Sequence, residues 1–263
     1  MSKLQNIRET GPLVVCYTND VVKNFTANGL ISLGASPAMS EEPEEAEEFS
    51  KVASAFLVNI GTITTDKAYD MKEYAKIMHD NGVPVVLDPV AVGASTIRKT
   101  FCQTLLNDQV VDVIRGNASE ILALVDEETT MKGTDSDDSL DVVKIAKKAH
   151  KQLNLPIILT GKTDVIACNN QYLELNNGSE MLTKITGGGC LLGAVVGAFL
   201  ANEKQITVDL LGEALSTYNI ASEIASEQSG AHLPGTFKVA FIDQLNAITD
   251  EIVKQKQNVK EVK

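Results

Sequence analysis

The chain has 263 residues, 44% hydrophobic and 22% charged, with a formal net charge of -12. That is enough to bury a substantial core, in the proportions of an ordinary soluble globular protein. The acidic balance excludes nucleic-acid binding through a basic surface. The longest apolar run, 191–201, is too short to span a bilayer and is interrupted by Gly193 and Gly197.

The first residues, MSKLQNIRETGP, lack the apolar segment of a signal peptide. From residue 13 onward, short β-rich runs alternate with amphipathic stretches. LVVCYT (13–18) reads as a strand, and 21–34 as a helix stopped by Gly34. EEPEEAEEFSKVAS (41–54) reads as a helix with its glutamates crowded at the solvated start, where the macrodipole favours them. AFLVNIG (55–61) is a strand, 65–82 a helix with an Asp or Thr cap, and PVVLDPV (84–90) a strand. A helix over 95–108, the strand VDVIRGN (111–117) and a short helix over 118–125 follow. Next come a helix over 137–154, the strand PIILTG (156–161) and a hairpin over 164–177 turning near Asn169–Asn170. Three helices, 190–202, 207–228 and 236–255, complete the chain.

Such alternation implies an α/β fold with a mainly parallel sheet and helices on both faces. No stretch rich in Pro, Gly or Ser divides the chain, so one domain over 1–263 is expected. The four cysteines (Cys16, Cys102, Cys168, Cys190) form no CxxC pair, which suggests neither a zinc site nor a disulfide framework. Reduced thiols and a cytoplasmic location are expected.

In open α/β sheets, ligands bind at the carboxyl ends of the strands. The loops there are TND (18–20), IGTITTD (60–66), DPVAVGAS (88–95), RGNASE (115–120), TGKTD (160–164) and TGGGC (186–190). In the last, three glycines let backbone amides converge, and the helix start adds partial positive charge, a combination suited to phosphate or a developing oxyanion. The same field is expected to lower the Cys190 pKa. Alternatively the glycines permit tight helix packing and Cys190 is a small hydrophobe. TGKTD is not a P-loop, because Pro156 occupies the position of its first glycine. GGGC is not a dinucleotide fingerprint.

Asp88 ends a strand before a proline, and Glu120 lies just past another. Carboxylates placed so hold Mg²⁺ through waters and substrate phosphates, or else cap helices and pair with cations. Arg115 is placed for bidentate phosphate contact, or as the partner of Glu120. His79 and His150 are expected at the surface. His232 stands in a glycine-flanked loop, and no HxxE or HExxH pattern is present. A thiol hydrolase with Cys190 as nucleophile would need His232 beside it.

Taken together, ANGLISLGASPAMS, LVNIGTI, VVLDPVAVGAS, VIRGNASEI, TGGGCLLGAVVGAF and the GTF segment resemble the hydroxyethylthiazole kinases, a thiamine-salvage family with a ribokinase-like three-layer fold. The resemblance runs from TNDVV to GTFKVAFIDQL. It implies transfer of the ATP γ-phosphoryl group to the primary alcohol of 4-methyl-5-(2-hydroxyethyl)thiazole. By that likeness Cys190 is the base, where most ribokinase-like enzymes carry aspartate. Asp88 and Glu120 would organise Mg²⁺ and its waters, and Arg115 and Thr160 would contact ATP. The Gly-rich loop, with Thr186, Gly188 and Gly189, would form the anion hole. Met39, Gly187 and Asn19 would line the substrate pocket. A homotrimer with active sites between subunits is also implied. The family loop usually reads TGTGC, so Gly188 is a departure, and a more flexible loop is expected from it.

Overall fold

The computed structural model describes residues 2–125, 141–228 and 233–262. The elements run in order α1 (Lys3–Thr10), β1 (Leu13–Tyr17), α2 (Lys23–Leu33), β2 (Ser36–Ala38), α3 (Ala46–Ser50), β3 (Ala55–Asn59), α4 (Thr65–Asp80) and β4 (Val85–Asp88). Then come α5 (Thr96–Asn107), β5 (Val113–Asn117), α6 (Ala118–Leu124), α7 (Val142–Leu153), β6 (Ile157–Thr160), β7 (Asp164–Cys168) and β8 (Gln171–Leu175). The last are α8 (Gly188–Leu200), α9 (Val208–Gln228), α10 (Pro234–Ala247), α11 (Asp250–Lys256) and β9 (Val259–Glu261).

The strands form one sheet in the order β2-β1-β3-β4-β5-β6-β7-β8-β9. The six from β2 to β6 are mutually parallel, and β7, β8 and β9 continue it antiparallel. Alternate side chains leave opposite faces of a strand, which divides the core in two. Val14, Cys16, Leu57, Val86 and Ile158 face a layer containing α2, α8, α9 and α10. Val15, Phe56, Val58, Leu87 and Leu159 face one containing α4, α5, α6 and α7. Because the six strands are parallel, their carboxyl ends share one rim.

Several expectations need correction. The glutamate run does open a helical segment, with Glu44, Glu45, Glu47 and Glu48 in its first turns, but the segment is a 3₁₀ turn, Pro43–Glu45, continued by an α3 of only five residues rather than a helix over 41–54. Glu41 lies ahead of that segment and pairs with Lys23 at 2.5 Å. The helix expected over 236–255 is two, because Ile248 turns extended and Thr249 caps α11 by accepting from Ile252 N–H. His150 is buried rather than superficial. Its Nδ1 donates to the Leu155 carbonyl at 2.7 Å and its Nε2 accepts from Asn170 N–H at 3.2 Å, tying α7 to the β7–β8 turn. That turn has Asn169 and Asn170 at positive φ, as the hairpin reading requires. The first residues of the helix expected over 137–154, and His232, lie outside the described residues.

Candidate active site

The rim residues meet around α8. The helix starts at Gly188, two residues before Cys190, with Gly187 as its cap at φ 96. A Cβ at Gly187 would stand 2.9 Å from Phe25 Cδ1, so both the conformation and the close approach require glycine. Gly188 is buried. Tyr218 Oη donates to its carbonyl, and a Cβ there would lie 2.8 Å from the Leu182 carbonyl oxygen. The turn Glu180–Lys184 therefore rests on Gly188, and the glycine serves close packing in this structure. Thr186 is exposed beside it.

From Cys190 a line of polar side chains crosses the strand ends. Asn19 Nδ2 donates to Cys190 Sγ at 3.5 Å and to Asn59 Oδ1 at 2.8 Å. Asn59 Nδ2 donates to Asp88 Oδ2 at 2.6 Å. Asp88 Oδ1 lies 3.5 Å from Arg115 Nη1, and Arg115 Nη2 donates to Thr160 Oγ1 at 2.7 Å. The register explains the meeting, since Asn59 pairs with Asp88 and Asn117 with Thr160. Arg115 also lies against Gly189, where a Cβ would stand 2.7 Å from its Nη1.

The Glu120 carboxylate accepts two backbone amides. Its Oε1 accepts from Ala91 N–H at 2.9 Å and its Oε2 from Asn117 N–H at 2.8 Å, while Asn117 Oδ1 accepts from Glu120 N–H. This capping box starts α6. Ala91 reaches Glu120 in a left-handed conformation, φ 54, unusual for a side chain and frequent at functional sites. Arg98 clamps two of the loops by donating to the carbonyls of Ile60, Gly61 and Val90. Met39 directly follows β2 on the same rim and packs against the core, half-buried.

The electrostatics overturn one expectation. Burial pushes the Cys190 thiol up to about 11, Asp88 adds to this, and Asn59, Arg115 and Asn19 only partly oppose it. Desolvation outweighs the helix start. Burial likewise raises Asp88 despite Arg115. It also works against the Arg115 guanidinium, which Asp88 and Glu120 nevertheless hold above its ordinary value. Among the described residues, Asp88 Oδ1 and Arg115 Nε are buried without hydrogen-bond partners.

The sequence-derived residues Asn19, Asp88, Arg115, Thr160 and Cys190 are thus brought together. Glu120 stands beside them, and Gly189 packs under Arg115. Asn59 and Arg98 were missed. Asn59 carries the signal that exposed Asp88, a polar residue closing an apolar strand.

A mainly parallel sheet between two helical layers, with polar strand ends facing a Gly-rich helix start, is the architecture of ribokinase-like proteins. A ribokinase-like superfamily protein from Enterococcus faecalis V583 superposes with a TM-score of 0.61 over 94% of this chain and 89% of that one, at 13% identity, a likeness of fold alone. A model of the hydroxyethylthiazole kinase family matches residues 4–251. Hydroxyethylthiazole kinase of Staphylococcus epidermidis (strain RP62A) is 57% identical over 262 residues, 100% of this chain and 99% of that one. The enzyme of the same description from Staphylococcus aureus (strain Newman) is 53% identical over 100% of both. The structure of a hydroxyethylthiazole kinase protein from Pyrococcus horikoshii OT3 superposes with a TM-score of 0.90 at 35% identity, over 99% of this chain and 98% of that one. The chain belongs to the hydroxyethylthiazole kinase family.

Proposed function

We propose that the chain, acting as one domain over 1–263, transfers the γ-phosphoryl group of ATP to the primary hydroxyl of 4-methyl-5-(2-hydroxyethyl)thiazole in thiamine salvage. Full-length relatedness to hydroxyethylthiazole kinases supports the reaction. The observation that carries the site is the hydrogen-bonded line from Cys190 to Asp88, with Arg115 and Thr160 beyond it.

Phosphoryl transfer asks for positioning and charge neutralisation more than covalent chemistry. The amides of Gly187, Gly188, Gly189 and Cys190, with Thr186 beside them, cradle the transferred group at the start of α8. Arg115, oriented by Thr160, takes the ATP phosphates. Met39 and Asn19 line the thiazole side with Gly187. Cys190 accepts the alcohol proton late, as the new P–O bond acidifies it. With the thiol raised to about 11, the free site at neutral pH holds it protonated, so this role depends on the small thiolate fraction.

Asp88 Oδ1, buried 3.5 Å from Arg115 Nη1 and without a hydrogen-bond partner among the described residues, is an acceptor suited to a cation or its water. Among the described residues no three His, Cys, Asp or Glu are grouped to hold a metal unaided. That suits Mg²⁺, which binds through few carboxylates, waters and substrate phosphates. Asp88 and Glu120 would hold it. When bound, Mg²⁺ neutralises phosphate charge.

A homotrimer with sites between subunits is part of the same reading. It draws support from Val21, Ile31, Leu233 and Val239, exposed apolar residues in and beside α2 and α10. Among the described residues no helix is long and apolar enough to cross a membrane. We place the enzyme in the cytoplasm, with no nucleic-acid or membrane partner.

The test is ADP release from MgATP with the hydroxyethylthiazole alcohol, beside hydroxymethylpyrimidine and ribose. Release dependent on the thiazole alone is expected. Release only with another alcohol would change the substrate, and none with any would overturn the catalytic reading.

A further inference from the structure

One backbone amide sets the direction of the polar line. Gly61 N–H lies 3.1 Å from Asn59 Oδ1 and can only donate, so the Asn59 oxygen faces Gly61. Asn59 Nδ2 must then face Asp88 Oδ2, which accepts at 2.6 Å. The same oxygen of Asn59 stands 2.8 Å from Asn19, and an oxygen there needs a donor. Asn19 therefore presents Nδ2, and the second hydrogen of that group is directed at Cys190 Sγ, 3.5 Å away. The Asn19 amide lies across Gly61, where a Cβ would sit 2.8 Å from Asn19 Cβ, Cγ and Nδ2. No other side chain at 61 leaves Asn19 in place.

Asn59 itself is fully buried at the end of a strand whose other residues are Ala, Phe, Leu and Val. A buried amide is costly unless its polar atoms are paired. Both atoms of this one are paired, and their partners lead to opposite ends of the site.

We propose that Asn59 is a positioning residue for phosphoryl transfer. It fixes Asn19 in the orientation that donates to Cys190 and holds Asp88 by Oδ2, leaving Oδ1 to face Arg115. The inference rests on the kinase reading above for its catalytic meaning, and on geometry alone for the orientation of the thiol.

The experiment has two arms on the full-length enzyme. In the first, Cys190 is alkylated with iodoacetamide at one fixed pH without substrates, and labelling is resolved by peptide mass. Cys16, Cys102 and Cys168 are buried, so Cys190 is the thiol that reports. Asn59→Leu and Asn19→Ala are each expected to slow its labelling at least about threefold, through loss of the N–H directed at sulfur. In the second, both variants are expected to lower kcat about 10- to 100-fold with the KM for ATP within about threefold. The double variant should slow labelling no more than the slower single, because on the thiol both act through the Asn19 N–H. Should Asn59→Leu fail to fold, Asn59→Ser takes its place. Labelling unchanged within about twofold, or slowing that multiplies in the double variant, would overturn the inference. Slowed labelling in a protein that phosphorylates no alcohol would uphold the orientation and reject the kinase reading. Normal labelling in an active variant would do the reverse.

Discussion

Two opposing effects meet at residue 190. The start of α8 favours a thiolate, and burial beside Asp88 disfavours it; burial wins, leaving the thiol at about 11. A base of that pKa works better as pH rises, because its deprotonated fraction grows up to the pKa. The wild-type kcat is therefore expected to climb from pH 7 toward pH 9. Cys190→Ala should lower kcat about 10²-fold, the low end for loss of general base catalysis, and flatten the basic limb. Cys190→Asp should keep activity and lose the climb, since a carboxylate is already ionised there. Stopped-flow or coupled assays across pH read this directly, and an identical pH profile in Cys190→Ala would remove the thiol from proton transfer. Gly189 supports a second expectation. A Cβ there would stand 2.7 Å from Arg115 Nη1 and 2.8 Å from Nη2. Gly189→Ala should push the guanidinium off Asp88 and Thr160 and lower the melting temperature, because the buried carboxylate loses its cation. Displacement of about 1 Å costs up to roughly 10²-fold, so a higher KM for ATP with a lower kcat is expected.

At the level of elements, the turn between β6 and β7 depends on a buried carboxylate. Asp164 accepts from Gly161 N–H at 2.9 Å and from Asn219 Nδ2 at 2.7 Å, linking the TGKTD loop to α9. Burial nevertheless raises it from 3.8 to about 6. The folded state thus holds the proton more tightly than the unfolded state. Its contribution to stability is fully present below 3.8 and is lost as pH rises through about 6. In Asp164→Asn that loss is absent, so wild type should lose stability relative to the variant between about pH 4 and 6, by roughly 3 kcal/mol at most. Urea unfolding at several pH values measures it; a difference constant with pH would show that the carboxylate stays charged. The strand-end logic that exposed Asp88 and the Asn19 loop depends on periodicity, and periodicity is legible in a sequence. Other features were hidden for physical reasons. β2 is three residues containing Pro37, and β9 is an edge strand of three; neither is long enough to show a period. The glutamate run of 41–48 is helical from Pro43 onward, but its first residue is not, because Lys23 and Lys67 hold Glu41 from other elements. Asn59 was passed over because the loop was taken to begin after it. The sign of the Cys190 shift was out of reach because desolvation is a property of packing.

For the whole molecule, the charge and the apolar surface point to different demands. A net charge of -12 keeps copies of a chain apart at long range, so association must come from a local apolar surface. α2 and α10 pack together, and Val21, Ile31, Leu233 and Val239 in and beside them stand 69%, 60%, 62% and 64% exposed. Their inner sides reach the site: Phe25 and Val22 lie against Gly187, and the Lys238 ammonium sits 4.7 Å over the Phe25 ring. A neighbour covering these helices would therefore press on the residues that shape the Gly-rich loop, and would couple assembly to catalysis. Light scattering is expected to give the mass of three chains, and Val239→Asp to reduce it, because a carboxylate buried in an apolar contact is strongly disfavoured. Val239 is exposed in the chain itself, so the substitution should leave the fold of each protomer intact by circular dichroism. The dissociated protein should then bind the thiazole alcohol more weakly while its thermal unfolding stays cooperative. A trimer unchanged by Val239→Asp would move the interface elsewhere, and a monomeric variant with full activity would show that each chain carries a complete site.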